Sequence, residues 1–166
     1  MLKIASLVIL FLGTITAASA QKFGYVSSAA ILAELPDVKS ADAELEALQK
    51  QLQKKGQGMI EQLQKDYIAV QEKVERGELS PKQQEEESKK LQDRQTEIQK
   101  FEQDMVKQLQ DKRNEKMQPI VDKINKAIQD VAKENGLQFI FEKDILLYAD
   151  PAQDVSTMVR AKLGLQ

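Results

Sequence analysis

Residues 76–83, with the sequence Arg-Gly-Glu-Leu-Ser-Pro-Lys-Gln, decide the fold because they predict the end of one long helix and the start of another. Gly77 is the residue type that most often follows a last helical turn, since glycine readily adopts the left-handed backbone conformation found there. Ser80 is a favoured N-cap, Pro81 fits the first helical position, and Gln83 completes a capping box. These signals predict the tip of a helical hairpin.

Apolar residues before the tip recur at intervals of three and four, which is the period of one helix face. The first series is Val38, Ala41, Leu45, Leu48 and Leu52, and the second is Met59, Leu63, Tyr67, Val70 and Val74. Gly56 and Gly58 lie where the phase changes, and each glycine destabilises a helix by about 1 kcal/mol relative to alanine. We expect a helix over residues 38–76, with bending, looser packing or close approach at the two glycines.

The returning helix is predicted over residues 81–135, with Gly136 as its end. Its apolar residues recur at intervals of eleven, the spacing of a nearly straight or slightly right-handed helix pair: Ile98, Leu109, Ile120 and Val131, and Val106, Met117 and Ile128. Only Leu91 is large and apolar between residues 82 and 97. Pro119 falls inside this helix, where the missing backbone donor predicts a kink between a projecting arm and a base.

The two ends of the chain predict a small β part. Lys22-Phe-Gly-Tyr-Val26 has the composition of a short strand, and Ser27 and Ser28 are candidate N-caps for a short helix that ends at Pro36. Leu137, Phe139 and Phe141 alternate with Gln138, Ile140 and Glu142, which is typical of a strand. A second strand is predicted at 145–149, and a one-sided terminal helix follows Asp150. Because three short strands form a marginal sheet with open edges, we expect several chains to pool them in one closed base.

The composition excludes most enzyme classes. The 166 residues include no histidine, cysteine or tryptophan, and 30% of them are charged. Histidine- or cysteine-dependent nucleophiles, ordinary zinc sites and disulfides are therefore excluded, and no phosphate-binding glycine loop occurs. We expect no enzymatic activity, no cofactor and no metal, and the net charge of −2 argues against nucleic acid as a partner.

The first twenty residues predict a cleaved signal peptide. Lys3 precedes an apolar run over residues 4–15, and Ala18-Ser-Ala20 provides the small residues that signal peptidase accepts. A run of about a dozen residues is shorter than the roughly 20 needed to cross a bilayer. Cleavage before Gln21 would remove Lys3, change the net charge from −2 to −3, and place the protein in an exported compartment.

Several stretches at the two ends of the chain carry a family likeness: Lys22-Phe-Gly-Tyr-Val26, Ile31-Leu32, Pro36, Val131-Ala-Lys-Glu-Asn-Gly136 and Leu146-Leu-Tyr-Ala-Asp-Pro151. Through them the chain resembles the Skp family of periplasmic chaperones, also called OmpH. The resemblance implies a periplasmic homotrimer in which nine pooled strands form a small barrel and three helical hairpins surround a cavity. It also implies binding of unfolded outer-membrane β-barrel proteins without ATP. Family members have strongly basic arms, whereas the acidic charge of this chain argues against contact with a membrane, lipid or lipopolysaccharide.

The expected fold is mainly α with a small β part, in which a long antiparallel hairpin projects from a strand-containing trimerisation base. The domains are a signal peptide (1–20), an oligomerisation base (21–37 and 136–166) and an arm (38–135) with its tip near 77–81. The favoured function is an ATP-independent holdase chaperone for unfolded outer-membrane proteins. The alternative is a structural or adaptor coiled-coil protein whose arm tips dock a single folded partner.

Two sets of residues carry these functions. Two helices cannot bury every apolar side chain of the arm, so the candidates for client binding are Met59, Ile60, Leu63, Tyr67, Val70, Phe101 and Met105. Packing between the two helices is the competing role, above all for Leu63, Val70 and Met105. The candidates for oligomerisation are Phe23, Tyr25, Val26, Phe139, Phe141, Leu147 and Tyr148.

Overall fold

The structure is a computed structural model that describes residues 22–165, and the predicted signal peptide lies outside them. Within this range the chain forms β1 (Phe23–Val26), α1 (Ser28–Glu34), α2 (Pro36–Glu75), α3 (Pro81–Asn135), β2 (Phe139–Glu142) and α4 (Ser156–Lys162). Short 3₁₀ turns occupy Lys143–Ile145 and Pro151–Gln153. The predicted fold class, mainly helical with a small β part, is confirmed.

The long helices pack against each other as a hairpin. With 40 residues in α2 and 55 in α3, a rise of 1.5 Å per residue gives lengths of about 60 Å and 82 Å. The bounds agree closely with those predicted from the apolar period. Within residues 22–165, no helix has both the length and the apolar character needed to cross a membrane.

The tip of the hairpin has the predicted capping chemistry. Gly77 has φ of 68°, and the amide of Glu78 donates to the carbonyl of Lys73 at 2.9 Å, which closes the last turn of α2. The Ser80 hydroxyl accepts from the Gln83 amide at 3.4 Å, and the Gln83 side chain accepts from the Ser80 amide at 2.9 Å. Local sequence signals therefore determine where the chain reverses.

Gly56 and Gly58 do not interrupt α2, and α3 continues as one helix through Pro119. A Cβ on Gly56 would lie 3.3 Å from Cε1 of Phe101, whereas a Cβ on Gly58 would meet nothing within 4 Å. The close approach expected at the glycines is thus found at Gly56. The absence of a side chain there lets the Phe101 ring pack against the backbone of α2.

β1 and β2 form a parallel pair in which Phe23 lies beside Phe139 and Tyr25 beside Phe141. The amide of Val155 donates to the carbonyl of Tyr25 at 2.9 Å, which ties the segment before α4 to the other edge of β1. The two ends of the chain are therefore joined by backbone hydrogen bonds.

The predicted strand at residues 145–149 is wrong for the single chain. A 3₁₀ turn at Lys143–Ile145 follows β2, and residues 146–149 continue without strand pairing. β1 has β2 on one side and a bridge to Asp154 on the other, so it offers no free edge to these residues. These residues therefore have no strand partner within the chain.

The cap of α1 also differs from the prediction. Ser27 precedes the helix, but its side chain makes no capping hydrogen bond. Instead, Oε1 of Glu142 at the end of β2 accepts from the Ser28 amide at 2.9 Å. A carboxylate at a helix N-terminus satisfies a free amide and interacts favourably with the helix dipole.

The hydrophobic core lies in the base and consists of two adjoining clusters. The first contains Val26, Ile31, Ala127, Val131, Val155 and Val159, and the second contains Leu35, Ala41, Ile120 and Ile124. Both clusters include residues of α3, and the second includes the first turns of α2. The packed base thus takes in the near ends of both arm helices as well as the elements at either end of residues 22–165.

Candidate binding surface on the helical arm

The arm buries very little apolar surface. Among the described residues from 42 to 116, only the side chains of Leu52 and Ile98 are buried. Ile60, Tyr67 and Ile68 of α2 are 42%, 61% and 56% exposed, and their spacing places them on one side of the helix. The distal half of the arm therefore presents apolar side chains to solvent.

Tyr67 and Ile68 border an open groove between the two helices, which we call the distal groove. Its volume is about 620 Å³. It is lined by Leu63, Gln64, Tyr67 and Ile68 of α2 and by Ser88, Leu91, Gln92 and Gln95 of α3. The groove combines an apolar surface with neutral polar side chains.

The opposite side of the arm at the same level carries a charged groove of about 240 Å³. It is lined by Asp66, Ala69, Val70, Lys73, Glu87, Lys90, Leu91 and Arg94. Arg94 pairs with Asp66 across the two helices, and Lys90 lies 2.6 Å from Glu87. The hydrogen bond from Lys90 holds the pKa of Glu87 below its ordinary value. Four of the five charged side chains on this side are thus paired within the arm.

The seven candidate client-binding residues occupy two environments. Ile60 and Tyr67 are exposed, as expected from their position beside the main apolar stripe. The other five are half-buried between the helices or at their edge: Met59, Leu63, Val70, Phe101 and Met105. Phe101 packs on Gly56, and the Lys55 ammonium lies 5.0 Å from its ring centroid, within the range of a cation–π contact.

Four exposed apolar residues of the arm were missing from the sequence-based candidates: Ile68, Val74, Val106 and Val121. Ile68 follows Tyr67 directly and completes the same face of α2 as Ile60. Val106 of α3 is 65% exposed and lies in a groove that also contains Asp42, Glu46 and Arg113. Ile68 could have been found by continuing the second face from Ile60 by eight residues, since that spacing returns to the same side of a helix.

Ion pairs hold the two helices together where the arm meets the base. Lys116 pairs with Glu44, and Nζ of Lys123 lies 2.8 Å from Oδ2 of Asp37. The hydrogen bond to Glu44 raises the pKa of Lys116. Such exposed pairs contribute about 0–1 kcal/mol each, so they align the helices without making the arm rigidly stable.

The base exposes a second apolar surface. Phe139 and Phe141 stack with ring centroids 6.2 Å apart, on the face of the sheet that also carries Phe23. Beyond the sheet, Leu147 is fully exposed and Tyr148 is 84% exposed. All five of these residues are oligomerisation candidates whose side chains are available to another molecule.

The remaining two oligomerisation candidates are covered within their own chain. Tyr25 and Val26 are 6% and 2% exposed. Burial, together with the negative charge of Asp154, raises the pKa of the Tyr25 hydroxyl. Their side chains help to fix β1 in the base.

The described residues, 22–165, contain no group of three or more acidic, histidine or cysteine side chains arranged to hold a metal ion. The features of the arm are apolar side chains in water, neutral amides and many charges, some of which are paired within the arm. This arrangement suits reversible binding of apolar chain segments.

Comparisons with known proteins agree with this architecture. A search of curated proteins found no match. A crystal structure from Caulobacter crescentus CB15, described as a candidate outer membrane chaperone (OmpH-like), is similar with a TM-score of 0.74 and 19% identity, over 87% of this chain and 85% of that one. That likeness concerns the fold. Residues 22–163 match the family described as Outer membrane protein (OmpH-like), which confirms the resemblance found in the sequence. The chain therefore belongs to the OmpH-like family.

Proposed function

We propose that this protein is an ATP-independent holdase chaperone that binds unfolded outer-membrane β-barrel proteins in the periplasm and prevents their aggregation. Membership of the OmpH-like family supports a chaperone role. The observation that carries the proposal is the row of exposed apolar side chains at Ile60, Tyr67 and Ile68, on a helical arm that is otherwise strongly charged.

Weak and numerous contacts are the physical requirement for a holdase. An unfolded client must be kept from other unfolded chains, yet it must leave without ATP. Isolated apolar side chains on a solvated helix pair provide contacts of low individual affinity, and flexible residues such as Met59 and Met105 adapt to different sequences. The surrounding charges keep the chaperone itself soluble.

We further propose that three copies assemble through the exposed surface of the base. Phe23, Phe139, Phe141, Leu147 and Tyr148 would pack against neighbouring copies. Burying these apolar side chains would supply free energy that the small core of one chain lacks. Residues 21–37 and 136–166, together with the near ends of α2 and α3 that pack against them, would then form the shared base, and the rest of residues 38–135 the arm.

Export by a cleaved signal peptide over residues 1–20 is part of the same proposal. It would place the processed chain, with a net charge of −3, in the periplasm. The acidic charge disfavours attraction to anionic lipid.

A dilution assay tests the function directly. Two unrelated outer-membrane β-barrel proteins, unfolded in urea, are diluted into buffer with the processed chain or with an equal mass of an inert protein. We expect the processed chain to suppress light scattering for both clients at molar excess of trimer. Unchanged scattering would contradict the proposal, and suppression for one client alone would favour an adaptor with a single partner.

The assembly is tested by the mass of the processed chain in solution. Light scattering at micromolar concentration should give three times the mass of one chain. Replacing Phe139 and Phe141 by glutamine should lower that mass, since both rings are exposed in the single chain. A monomeric mass for the unaltered chain would contradict the trimeric base.

A further inference from the structure

The distal groove differs from its surroundings in charge. None of its eight lining residues is charged, although charged residues make up 30% of the chain. The charged groove on the other side of the arm, at the same level, has five charged residues among its eight. Leu91 lines both grooves, so the uncharged groove and the charged groove lie on two sides of the same short segment of the arm.

The amides of the distal groove are also free. Within residues 22–165, the side chains of Gln64, Gln92 and Gln95 make no hydrogen bond to protein groups. Three other glutamines of α2 each donate to a carboxylate four residues further along the helix: Gln57, Gln62 and Gln71. A glutamine side chain has both donor and acceptor groups, which are the groups that an extended peptide backbone needs.

We propose that the distal groove binds a short, extended and uncharged stretch of unfolded polypeptide. Apolar or aromatic side chains of this stretch would contact Tyr67, Ile68 and Leu91, and its backbone would bond to the glutamine amides. This inference rests on the proposed holdase function and names the part of the arm and the class of segment that it recognises.

Size and charge favour this occupant. The volume of about 620 Å³ lies within the roughly 300–1,000 Å³ of small-ligand pockets, which suits a few residues of peptide and no folded domain. A charged segment entering the groove would lose hydration without finding an opposite charge among the lining residues. A short segment in which apolar and small polar residues alternate is small enough for the groove and carries no charge.

A peptide titration tests the inference. Because this chain contains no tryptophan, the fluorescence of a tryptophan in the peptide is measured without tryptophan emission from the protein. The probe is a ten-residue peptide with blocked ends in which serine and threonine alternate with valine, tyrosine and one tryptophan. The comparison peptide has glutamate and lysine in place of serine and threonine. We expect the tryptophan fluorescence of the neutral peptide to report saturable binding, at least about tenfold tighter than that of the charged peptide.

Two sets of variants of the processed chain locate the site. Tyr67→Gln with Ile68→Gln removes the exposed apolar side chains of the groove, whereas Val106→Gln removes a similarly exposed side chain from a charged part of the arm. We expect the first to weaken binding of the neutral peptide about tenfold or more and the second to change it less than about twofold. Equal weakening by both sets, or none from the groove variant with helicity unchanged, would overturn the inference.

The client assay separates this inference from the function on which it rests. If the unaltered chain suppresses scattering and the groove variant suppresses it equally well, the groove is not the recognition site although the holdase function stands. If the unaltered chain fails to suppress scattering, the holdase function is wrong, and the peptide titration alone decides whether the groove binds extended segments.

Discussion

The base and the arm of this protein differ in what holds them together. The base concentrates its buried apolar residues in two adjoining clusters, whereas the arm from residue 42 to 116 buries only Leu52 and Ile98 among the described residues. The arm depends instead on capping, helix propensity and exposed ion pairs, each of which contributes about 1 kcal/mol or less. The same chain thus combines a base with a packed core and an arm whose apolar side chains remain exposed and available for binding.

The largest effect should come from removing a core side chain of the base. Ile31 is completely buried, so Ile31→Ala should lower the free energy of unfolding by about 2–5 kcal/mol through lost burial and the cavity left behind. Ile60→Ala in the arm, where the side chain is 42% exposed, should lower it by less than about 1 kcal/mol. Urea unfolding followed by circular dichroism measures both. Equal losses would contradict the contrast between the two regions.

An intermediate effect is expected from the two glycines of α2. Gly58→Ala should stabilise the helix by about 0.5–1 kcal/mol, because the new methyl group meets nothing within 4 Å. Gly56→Ala should raise the free energy of unfolding by less, since its methyl group would lie 3.3 Å from the Phe101 ring and would displace that ring. Thermal unfolding of the two variants checks this order. A larger gain at Gly56 would show that the contact with Phe101 is unimportant.

The smallest effect concerns acid sensitivity. Two hydrogen bonds of 2.8 Å from Arg160 hold the pKa of Glu34 below its ordinary value of 4.5, and they join α1 to α4 in the base. Because the folded pKa is lowered, this pair stabilises the protein above pH 4.5 and loses its effect as the pH falls through the lowered pKa. In the Glu34→Gln variant, the free energy of unfolding should therefore decrease less as the pH is lowered.

Glu46 provides the matched control in the arm. Its pKa is also lowered, by a hydrogen bond with Lys50 one turn further along the same helix. Glu46→Gln should change the acid dependence of global unfolding less than Glu34→Gln, because its pair joins no separate elements. Unfolding by urea at several pH values between 7 and 3 measures both, and the reverse order would contradict the assignment of stability to the base.

Sequence reasoning succeeded where the decisive interactions are local. The helix end at Gly77, the capping box of Ser80 and the end of α3 before Gly136 depend on residues within one or two turns, and all three are found as predicted. The eleven-residue apolar period also identified part of the inward side of α3, where Ile98, Ile120 and Val131 are buried, but it included Val106, which is 65% exposed.

Interactions between distant residues could not be predicted in the same way. The cap of α1 comes from Glu142, 114 positions away in sequence, and nothing near Ser27 signals it. The strand predicted at residues 145–149 has the composition of a strand but no partner within one chain. Of the eight residues that line the distal groove, only Leu63 and Tyr67 were among the candidates. Its neutral glutamines carry no apolar signal, and they line a groove only because α2 and α3 face each other.

Hydrogen–deuterium exchange with and without an unfolded outer-membrane protein tests the central claim most directly. In the free protein we expect slow exchange in the base around Val131 and Val159 and faster exchange in the arm, in line with their burial. Adding client should slow exchange at residues 60–70 and 88–95 and leave the base unchanged. Protection confined to the base, or no protection in the arm while client remains bound, would contradict the account of a stable base that carries a client-binding arm.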